Sequence, residues 1–321
     1  MKLLVTGGAG FIGANFIHYW VKRYPTDKII NLDKLTYAAD PHNLMDVKTN
    51  KNYSFIKGDI SNKNTVERVA SKVDAIINFA AESHVDRSIA DSSNFLRSNI
   101  TGVHNLLEVS KKHKIRFHQV STDEVYGSLK LGSSKKFKET SKYAPKNPYA
   151  ATKASADHLA NAYYNTYDLP ITISNCSNNY GLYQHPEKLI PKTIINAILG
   201  NTVPIYGNGL QIRDWIYVDD HCSAIDKILN KGVYGETYLI GVNNERHNID
   251  VVKKILSKLK INENIIKFVA DRPGHDVRYA IDSTKIKRKL GWKPLFSFDE
   301  SLEVTINYYI KNLKRYKNKL K

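Results

Sequence analysis

The sequence predicts an α/β fold, a doubly wound parallel sheet joined to a smaller, interleaved α/β domain. Longer segments with apolar residues at helical spacing, 11–24, 91–113 and 149–168, alternate with short runs rich in isoleucine and valine. Such alternation favours right-handed crossovers and a parallel sheet covered by helices on both faces. The predicted strands are KLLVT, KIINLD, YSFIKGD, DAIINFA, RFHQVS and PITISN.

The pattern loosens after about residue 179, where loops such as GLYQHPEKLIP and YGNGLQIRDW separate shorter elements. GETYLIGV, at 235–242, still has the composition of a core strand. We therefore expect a first domain of residues 1–178 with a returning segment near 213–247. The remaining ranges, 179–212 and 248–321, are expected to form the second domain.

Composition narrows the classes of protein. The 321 residues carry a formal charge of +17, but the lysines are spread along the chain and only residues 311–321 form a dense basic run. Without a recognisable nucleic-acid-binding motif, this predicts no nucleic-acid partner and favours an anionic small substrate. Long apolar runs and a secretory signal are absent from the sequence, which predicts a cytoplasmic chain without a membrane span. Cys176 and Cys222 are expected to be small buried hydrophobes.

A glycine-rich turn, TGGAGFIG, occupies residues 6–13 between the first predicted strand and the first predicted helix. Glycine permits a tight turn and a close approach of the backbone to a diphosphate. The following helix offers free N–H groups and the positive end of its dipole to that anion. Gly7, Gly10 and Gly13 thus predict a Rossmann-like dinucleotide-binding domain, although any tight strand–helix turn favours glycine.

Two aspartates end the next two predicted strands. Asp33 stands where a carboxylate accepts hydrogen bonds from the adenosine ribose and repels a 2′-phosphate, which favours NAD over NADP. Asp59, in GDI, is placed to reach the adenine amine. The alternative for Asp33 is a cap on the next segment, which fits its position less well.

Two further patterns contain side chains that can transfer protons. Tyr149 and Lys153 are four residues apart and share a face of a predicted helix. A nearby ammonium and a nicotinamide charge would favour the phenolate, since an unperturbed tyrosine titrates near ~10. Asp123 and Glu124, in STDEVYG, follow a predicted strand and form either a solvated turn or a proton-transfer pair. For Tyr149 and Lys153, the alternative is an ordinary Tyr–Lys pair on the protein surface.

Several segments, in order along nearly the whole chain, carry a family resemblance. They are FAAESHVDRSI (79–89), STDEVYG (121–127), PYAATKASAD (148–157), CSNNYG (176–181), PEKLIP (186–191), IRDWIYVDDH (212–221) and DRPGHDVRYAID (271–282). With the glycine turn, they resemble the extended short-chain dehydrogenase/reductase superfamily and, within it, the dTDP-glucose 4,6-dehydratases. The glycine turn alone would not separate these from sugar epimerases.

The resemblance implies a role for each matched position. The implied catalytic residues are Thr122, Asp123, Glu124, Tyr149 and Lys153. The implied NAD-binding residues are Gly7, Gly10, Phe11, Ile12, Gly13, Asp33, Lys34, Leu35, Thr36, Asp59, Ile60, Phe79, Ala80, Ala81, Glu82, Ser83, Ser98, Tyr149 and Lys153. The implied substrate-binding residues are Ser83, Thr122, Asn178, Lys188, Arg213, Asn248, Asp271, Arg272 and His275.

The implied reaction converts dTDP-glucose to dTDP-4-keto-6-deoxyglucose and water. NAD oxidises C4, water is lost across C5 and C6, and the hydride returns to C6. Tyr149 is the expected base at the C4 hydroxyl, Glu124 the base at C5, and Asp123 the acid for the C6 hydroxyl. Adjacent like charges discourage simultaneous ionisation, which gives one acid and one base.

Three alternatives stay open at this point. A UDP- or GDP-sugar 4,6-dehydratase would keep the same chemistry with another nucleotide. A nucleotide-sugar 4-epimerase would need Tyr149 and Lys153 but no acid–base pair for C5 and C6. A non-catalytic NAD-binding regulator would need none of these side chains.

Two further expectations concern metals and assembly. The 11 histidines show no metal-binding spacing, so we expect no metal site. The resemblance implies a homodimer in which helices 91–113 and 149–168 of two copies form a four-helix bundle. The alternative is that both helices simply cover the sheet.

Overall fold

A seven-stranded parallel sheet forms the centre of the protein, and the computed structural model describes residues 1–320. Its strand order is β10–β6–β5–β4–β1–β2–β3, and every neighbouring pair is parallel. This order reverses beside β1, where a doubly wound sheet opens a crevice at the carboxyl ends of its strands. The strands of this sheet are β1 (Lys2–Thr6), β2 (Lys28–Asp33), β3 (Tyr53–Lys57), β4 (Ala75–Asn78), β5 (Arg116–Thr122), β6 (Ile171–Cys176) and β10 (Thr237–Ile240).

Helices cover both faces of the large sheet, and the predicted fold class is confirmed. The predicted helices 11–24 and 149–168 are observed as Phe11–Arg23 and Pro148–Tyr167. The α-helices are α1 (Phe11–Arg23), α2 (Lys63–Ala70), α3 (Val85–Ala90), α4 (Ser93–Phe95), α5 (Val103–His113), α6 (Pro148–Tyr167), α7 (Leu189–Ile198), α8 (Val218–Lys231), α9 (Asn248–Leu259), α10 (Thr284–Leu290), α11 (Phe298–Lys311) and α12 (Leu313–Tyr316).

Two apolar cores, one on each face, hold the helices to the sheet. One face buries Phe16, Ile17 and Trp20 of α1, and α8 packs beside them. The opposite face buries α2, α5 and α6 through side chains such as Leu106 and Ala160. Because strand side chains alternate between faces, the fully buried run of β6 supplies apolar groups to both cores.

The predicted helix 91–113 is interrupted by a π-helical segment, Leu96–Gly102, between α4 and α5. This segment turns Asn99 inward, where the side chain is 1% exposed. Its amide accepts a bond from the Glu82 backbone N–H (2.9 Å) and donates to the Glu82 carbonyl (3.0 Å) and Thr152 Oγ1 (2.9 Å). Asn99 therefore joins the loop after β4 to α6, one residue before Lys153.

The carboxyl-terminal half adds two small sheets beside the large one. One contains β7 (Asn178–Tyr180), β9 (Ile212–Tyr217) and β11 (Glu245–His247); the other contains β8 (Val203–Tyr206) and β12 (Ile266–Val269). Within the predicted returning segment, β10 joins the large sheet, whereas β9 pairs with β7 and β11. The predicted division into two domains stays a prediction.

No helix within residues 1–320 combines the length and the hydrophobicity that a bilayer crossing requires.

Candidate active site

The glycine turn lies at the carboxyl end of β1 and lines a long cavity over the edge of the sheet. Gly7 has a φ of +68°, and a Cβ added there would lie 2.6 Å from the Ala80 backbone nitrogen. A Cβ added at Gly13 would lie 2.4 Å from the Gly7 carbonyl oxygen. The packing of the protein itself therefore requires glycine at both positions, and the amino end of α1 stays open to an anion.

Asp33 ends β2 at the rim of the same cavity. Its carboxylate accepts bonds from the backbone N–H groups of Ala9 (2.9 Å) and Leu35 (2.8 Å). Burial raises the pKa of Asp33, and these two N–H donors oppose that rise. The carboxylate thus anchors the glycine turn to the loop after β2. Its bond from the Leu35 N–H also gives it the capping role that was considered as an alternative.

Asp59 follows β3 and faces Lys34 across the cavity wall, with Nζ and Oδ2 separated by 2.9 Å. Burial acts to raise the pKa of Asp59, but the bonds from Lys34 and from Ser61 prevail and lower it. Asp59 is therefore ionised at neutral pH and offers its remaining acceptor capacity at this end of the cavity.

The cavity residues suit a dinucleotide. A glycine cradle that a Cβ would fill lies at a helix amino end, with carboxylates at one end of the cavity and proton-transfer groups at the other. Of the implied NAD-binding residues, all but Leu35 line the cavity; Leu35 contributes only its backbone bond to Asp33. Those lining it are Gly7, Gly10, Phe11, Ile12, Gly13, Asp33, Lys34, Thr36, Asp59, Ile60, Phe79, Ala80, Ala81, Glu82, Ser83, Ser98, Tyr149 and Lys153.

Thr122, Asp123 and Glu124 lie together where β5 ends and a 3₁₀ turn begins, on the wall of the cavity. The backbone N–H of Glu124 donates to Thr122 Oγ1 at 3.3 Å, which caps the turn. Asp123 is 2% exposed. Among the residues described, Asp123 Oδ2 and Glu124 Oε2 are buried carboxylate oxygens without a hydrogen-bond partner. A solvated turn does not have this property, so the surface alternative for the pair is wrong.

The surroundings of the two carboxyl groups differ. Burial and the neighbouring Glu124 raise the pKa of Asp123 well above its usual range. Burial also raises the pKa of Glu124, but the positive charges of Arg272, Arg213 and Lys188 oppose that rise. Asp123 therefore has the stronger tendency of the two to hold a proton, and nearby cations favour ionisation of Glu124 but not of Asp123 to the same degree.

Tyr149 and Lys153 lie on the first turns of α6, which begins at Pro148 after the capping side chain of Asn147. Burial raises the pKa of Tyr149 well above 10, and Glu124 and Cys176 add to the rise. The Lys153 ammonium donates to the Val120 carbonyl at 2.7 Å. The Lys153 ammonium and the nicotinamide charge of a bound cofactor would oppose this rise, and the expected promotion of the phenolate stays a prediction.

Buried Asp157, one turn beyond Lys153, supports the strand end that carries the catalytic cluster. Its Oδ2 accepts bonds from Ser121 Oγ (2.7 Å) and Asn175 Nδ2 (3.1 Å). Burial lowers the pKa of Lys153, and the charge of Asp157 opposes that change. Asp157 therefore connects the ammonium, β5 and β6 in one polar network.

The implied substrate residues divide into two groups. Ser83, Thr122, Asn178 and Lys188 line the cavity. Lys188 Nζ donates to the Ser83 carbonyl at 3.3 Å, across the gap between the large sheet and the carboxyl-terminal half. The other five, Arg213, Asn248, Asp271, Arg272 and His275, lie outside the cavity wall, in or beside the small sheets.

Arg213 is 5% exposed on β9. Its Nη2 donates to the Asp276 carbonyl at 2.8 Å, and its guanidinium lies 4.3 Å from the centre of the Tyr279 ring. Burial lowers its pKa, while Tyr279 and Glu124 oppose that change. Neutral partners thus hold a buried cation close to the catalytic carboxyl groups, where it can meet an anion.

The segment 271–275 is held by carboxylates. His275 Nδ1 lies 2.5 Å from Asp271 Oδ1, and Gln211 Nε2 donates to Asp271 Oδ2 at 3.1 Å. Arg272 Nη1 is 3.6 Å from Asp86 Oδ1. Asn248 begins α9, and its side-chain oxygen is buried without a partner among the described residues.

Sequence reasoning missed Glu187, a residue of the cavity wall whose carboxylate joins its own loop to the segment 84–87. His84 Nε2 and His185 Nδ1 each lie 3.4 Å from it, and Arg87 Nη2 lies at 3.8 Å. The Arg87 guanidinium stacks 3.7 Å above the Tyr37 ring. PEKLIP contributed to the resemblance, but spacing could not reveal partners that come from distant loops. Tyr206, whose hydroxyl donates to Asp86 Oδ2 at 3.2 Å, was missed for the same reason.

Within the part of the chain that the structure describes, histidine, cysteine and carboxylate side chains nowhere gather in a group able to hold a metal ion.

Residues 4–305 match a family model described as GDP-mannose 4,6 dehydratase. A curated relative named dTDP-glucose 4,6-dehydratase, from Neisseria meningitidis serogroup B, is 47% identical over 99% of this chain and 96% of its own length. The chain belongs to the dTDP-glucose 4,6-dehydratase family. The resemblance inferred from the sequence motifs is thereby confirmed.

Solved structures of dTDP-glucose 4,6-dehydratases share the fold closely. The enzyme from Bacillus anthracis, solved in complex with NAD, has a TM-score of 0.93 and 47% identity over 99% of both chains. The enzyme from Streptomyces venezuelae, solved with NAD and dTDP bound, has a TM-score of 0.97 and 44% identity. That alignment covers 99% of this chain and 100% of the other.

Proposed function

We propose that this chain is an NAD-dependent dTDP-glucose 4,6-dehydratase that forms dTDP-4-keto-6-deoxyglucose and water. The observation that carries the proposal is the buried pair Asp123 and Glu124, with different pKa environments, beside Tyr149 on the cavity wall. A 4-epimerase needs only the tyrosine and lysine, so a protonated acid next to an ionised base favours elimination.

The first half of the reaction belongs to Tyr149. Bound NAD supplies the acceptor for the C4 hydride and the donor that returns it to C6. Tyr149, as the phenolate, takes the proton of the C4 hydroxyl, while Thr122 Oγ1 hydrogen-bonds the same oxygen. Lys153 is proposed to hold the cofactor ribose, and its bond to the Val120 carbonyl fixes it under β5.

The second half belongs to the carboxyl groups. The new C4 ketone acidifies the C5 proton, which Glu124 removes. Asp123 gives its proton to the C6 hydroxyl, which leaves as water, and Glu124 returns its proton to C5 when the hydride reaches C6. Resetting the site then moves one proton from Tyr149 to Asp123.

The proposed substrate contacts follow from charge. Lys188, Arg213 and Arg272 each lower the pKa of Glu124 through their positive charge, so all three act on the same region. Guanidinium groups engage phosphate oxygens through two parallel hydrogen bonds, which suits a diphosphate. Asn248, Asp271 and His275 are proposed to bind the nucleotide end. The thymidine preference is proposed from the relatives named above.

The test is to supply dTDP-, UDP-, GDP- and CDP-glucose in parallel and to identify the product by mass spectrometry and NMR. We expect the 4-keto-6-deoxy sugar from dTDP-glucose, with the other nucleotides slower. A faster reaction with UDP- or GDP-glucose would correct the nucleotide, and a C4 epimer as product would indicate an epimerase. No product from any of the four would contradict the proposal.

We also propose a homodimer built on α5 and α6, which pack against each other on one side of the sheet. The outer side of this helix pair, with the π-helical segment before α5, presents exposed Leu96 and Ala151 and half-buried Leu159. Light scattering should give twice the chain mass of 36.5 kDa. Ala151→Arg should reduce that mass to one chain, whereas exposed Ala270→Arg should not; a monomeric native protein would contradict the dimer.

We propose that the chain divides into two domains with the cavity between them. One domain contains residues 1–178 and 213–247, and the other contains residues 179–212 and 248–321. A cytoplasmic location is proposed as well. Its support is that Cys176 and Cys222 are buried free thiols, which a reducing compartment preserves.

A further inference from the structure

The basic run at the carboxyl terminus is packed on the protein, with two of its charges directed at one carboxylate. Arg315 Nη2 lies 2.8 Å and Lys319 Nζ 2.6 Å from Asp40 Oδ2. The Asp40 side chain is 13% exposed. Burial acts to raise the pKa of Asp40, but Lys319 and Arg315 outweigh it and lower that pKa. The three groups form a single partly buried ion-pair cluster.

Asp40 belongs to the loop after β2, which forms the adenosine side of the cavity through Thr36, Ala38 and Ala39. Its backbone N–H donates to the Ala9 carbonyl at 3.0 Å, and Asn43 Nδ2 donates to the same carbonyl at 3.1 Å. Arg315 also donates to Asn43 Oδ1. The tail therefore fixes this loop against Ala9, within the glycine turn.

The same tail reaches the opposite rim through aromatic side chains. Tyr316 packs on Tyr309 with ring centres 5.0 Å apart, and its hydroxyl is 2.7 Å from that of Tyr308. The Tyr309 hydroxyl donates to the Gln184 carbonyl at 2.6 Å. Gln184 lines the cavity from the carboxyl-terminal half. One short segment thus touches both sides of the cofactor cavity.

We propose that residues 308–319 form a strap that joins the two rims of the cofactor cavity and slows the release of NAD. The proposal rests on the proposed function, in which NAD is the cofactor. Each turnover returns the cofactor to its starting oxidation state, so an enzyme of this kind gains nothing by exchanging it. Slow release then costs no turnover and prevents loss of the enzyme-bound cofactor at low NAD concentration.

The test is a chase experiment on the full chain. Protein loaded with radiolabelled NAD is mixed with excess unlabelled NAD, and retained label is followed over time. The double variant Arg315→Met with Lys319→Met should release NAD roughly three- to tenfold faster, as expected for losing two partly exposed ion pairs. The matched control, Lys314→Met with Lys317→Met, removes the same charge from exposed positions of the same tail and should release at the native rate.

Native release rates in the double variant, or equal acceleration in the control, would overturn the strap. Turnover of dTDP-glucose at saturating NAD should stay within about twofold of native, because the variant acts on retention and not on chemistry. If the double variant does not fold, the isosteric Asp40→Asn provides the same test, with faster release expected. Native protein that turns over dTDP-glucose but retains no NAD, or that shows unchanged release in the variants, would reject the strap alone, whereas native protein without turnover at saturating NAD would reject the proposed function.

Discussion

The variant Asp123→Asn keeps the shape of the side chain and removes the proton that it is proposed to give to the C6 hydroxyl. Its neighbour Glu124 is proposed as the base at C5, and the charges of Arg272, Arg213 and Lys188 oppose the rise that burial gives to the pKa of Glu124. General acid catalysis contributes about 10²–10⁴ in rate, or about 3 to 5 kcal/mol of activation free energy. We expect the loss of water to slow by that factor.

Single-turnover absorbance of NADH separates the two halves of the reaction. In the native enzyme the signal should rise as C4 is oxidised and fall as the hydride returns to C6. In Asp123→Asn the rise should be preserved and the fall slowed. The control is Asp123→Glu, which changes the length of the side chain but keeps its acidic proton. A variant in which rise and fall slow equally would contradict the assignment of Asp123 to the elimination step.

The same variant should change stability in the opposite direction from activity. Burial and Glu124 raise the pKa of Asp123 in the folded protein, whereas an aspartate in the unfolded chain has a pKa of about 3.9. The folded state therefore binds more protons above that pH, and stability is lost as the pH rises from about 4 towards the folded pKa. Asparagine removes this penalty, so the variant should melt above the native protein at pH 7. The difference should shrink towards pH 4, and a pH-independent difference would contradict the raised pKa.

Three other outcomes are expected. Tyr149→Phe should reduce even the first NADH signal by about 10²-fold or more, since no other group takes the C4 proton; a normal rise would contradict its role as base. Arg213→Met should raise KM for the nucleotide sugar about ten- to a hundredfold, as a charge-assisted hydrogen bond predicts, with Arg213→Lys intermediate; unchanged KM would place the diphosphate elsewhere. Gly7→Ala should lower the melting temperature more than Gly132→Ala. Both glycines have positive φ, but only at Gly7 would the Cβ meet Ala80, so equal losses would assign the effect to backbone strain alone.

Local sequence patterns predicted the elements that form the cavity. The strand runs and the helix at 149–168 follow from spacing of apolar residues, and the glycine turn is required by contacts within its own neighbourhood. These features depend on residues close in the chain, which is why periodicity and turn chemistry reveal them.

Features that depend on distant partners were not predictable. The Lys153 ammonium donates to the Val120 carbonyl, and nothing in the Y-x-x-x-K spacing indicates that partner. Arg315 and Lys319 are paired whereas Lys314 and Lys317 are exposed, although all four are similar basic residues in one run. Only tertiary packing distinguishes them.

The π-helical segment Leu96–Gly102 has a consequence for insertions and deletions. A turn closed by i→i+5 hydrogen bonds contains one residue more than an α-helical turn. Removing exposed Arg97 should let the segment relax to a regular α-helix while α4 and α5 keep their buried faces. Removing exposed His104 from α5 should instead rotate the helical residues after it by about 100° and displace Leu106 from the core. The extra residue of the π-helical turn thus places Asn99 inward. Thermal unfolding should show a smaller loss of melting temperature for the deletion in this segment than for the deletion in α5.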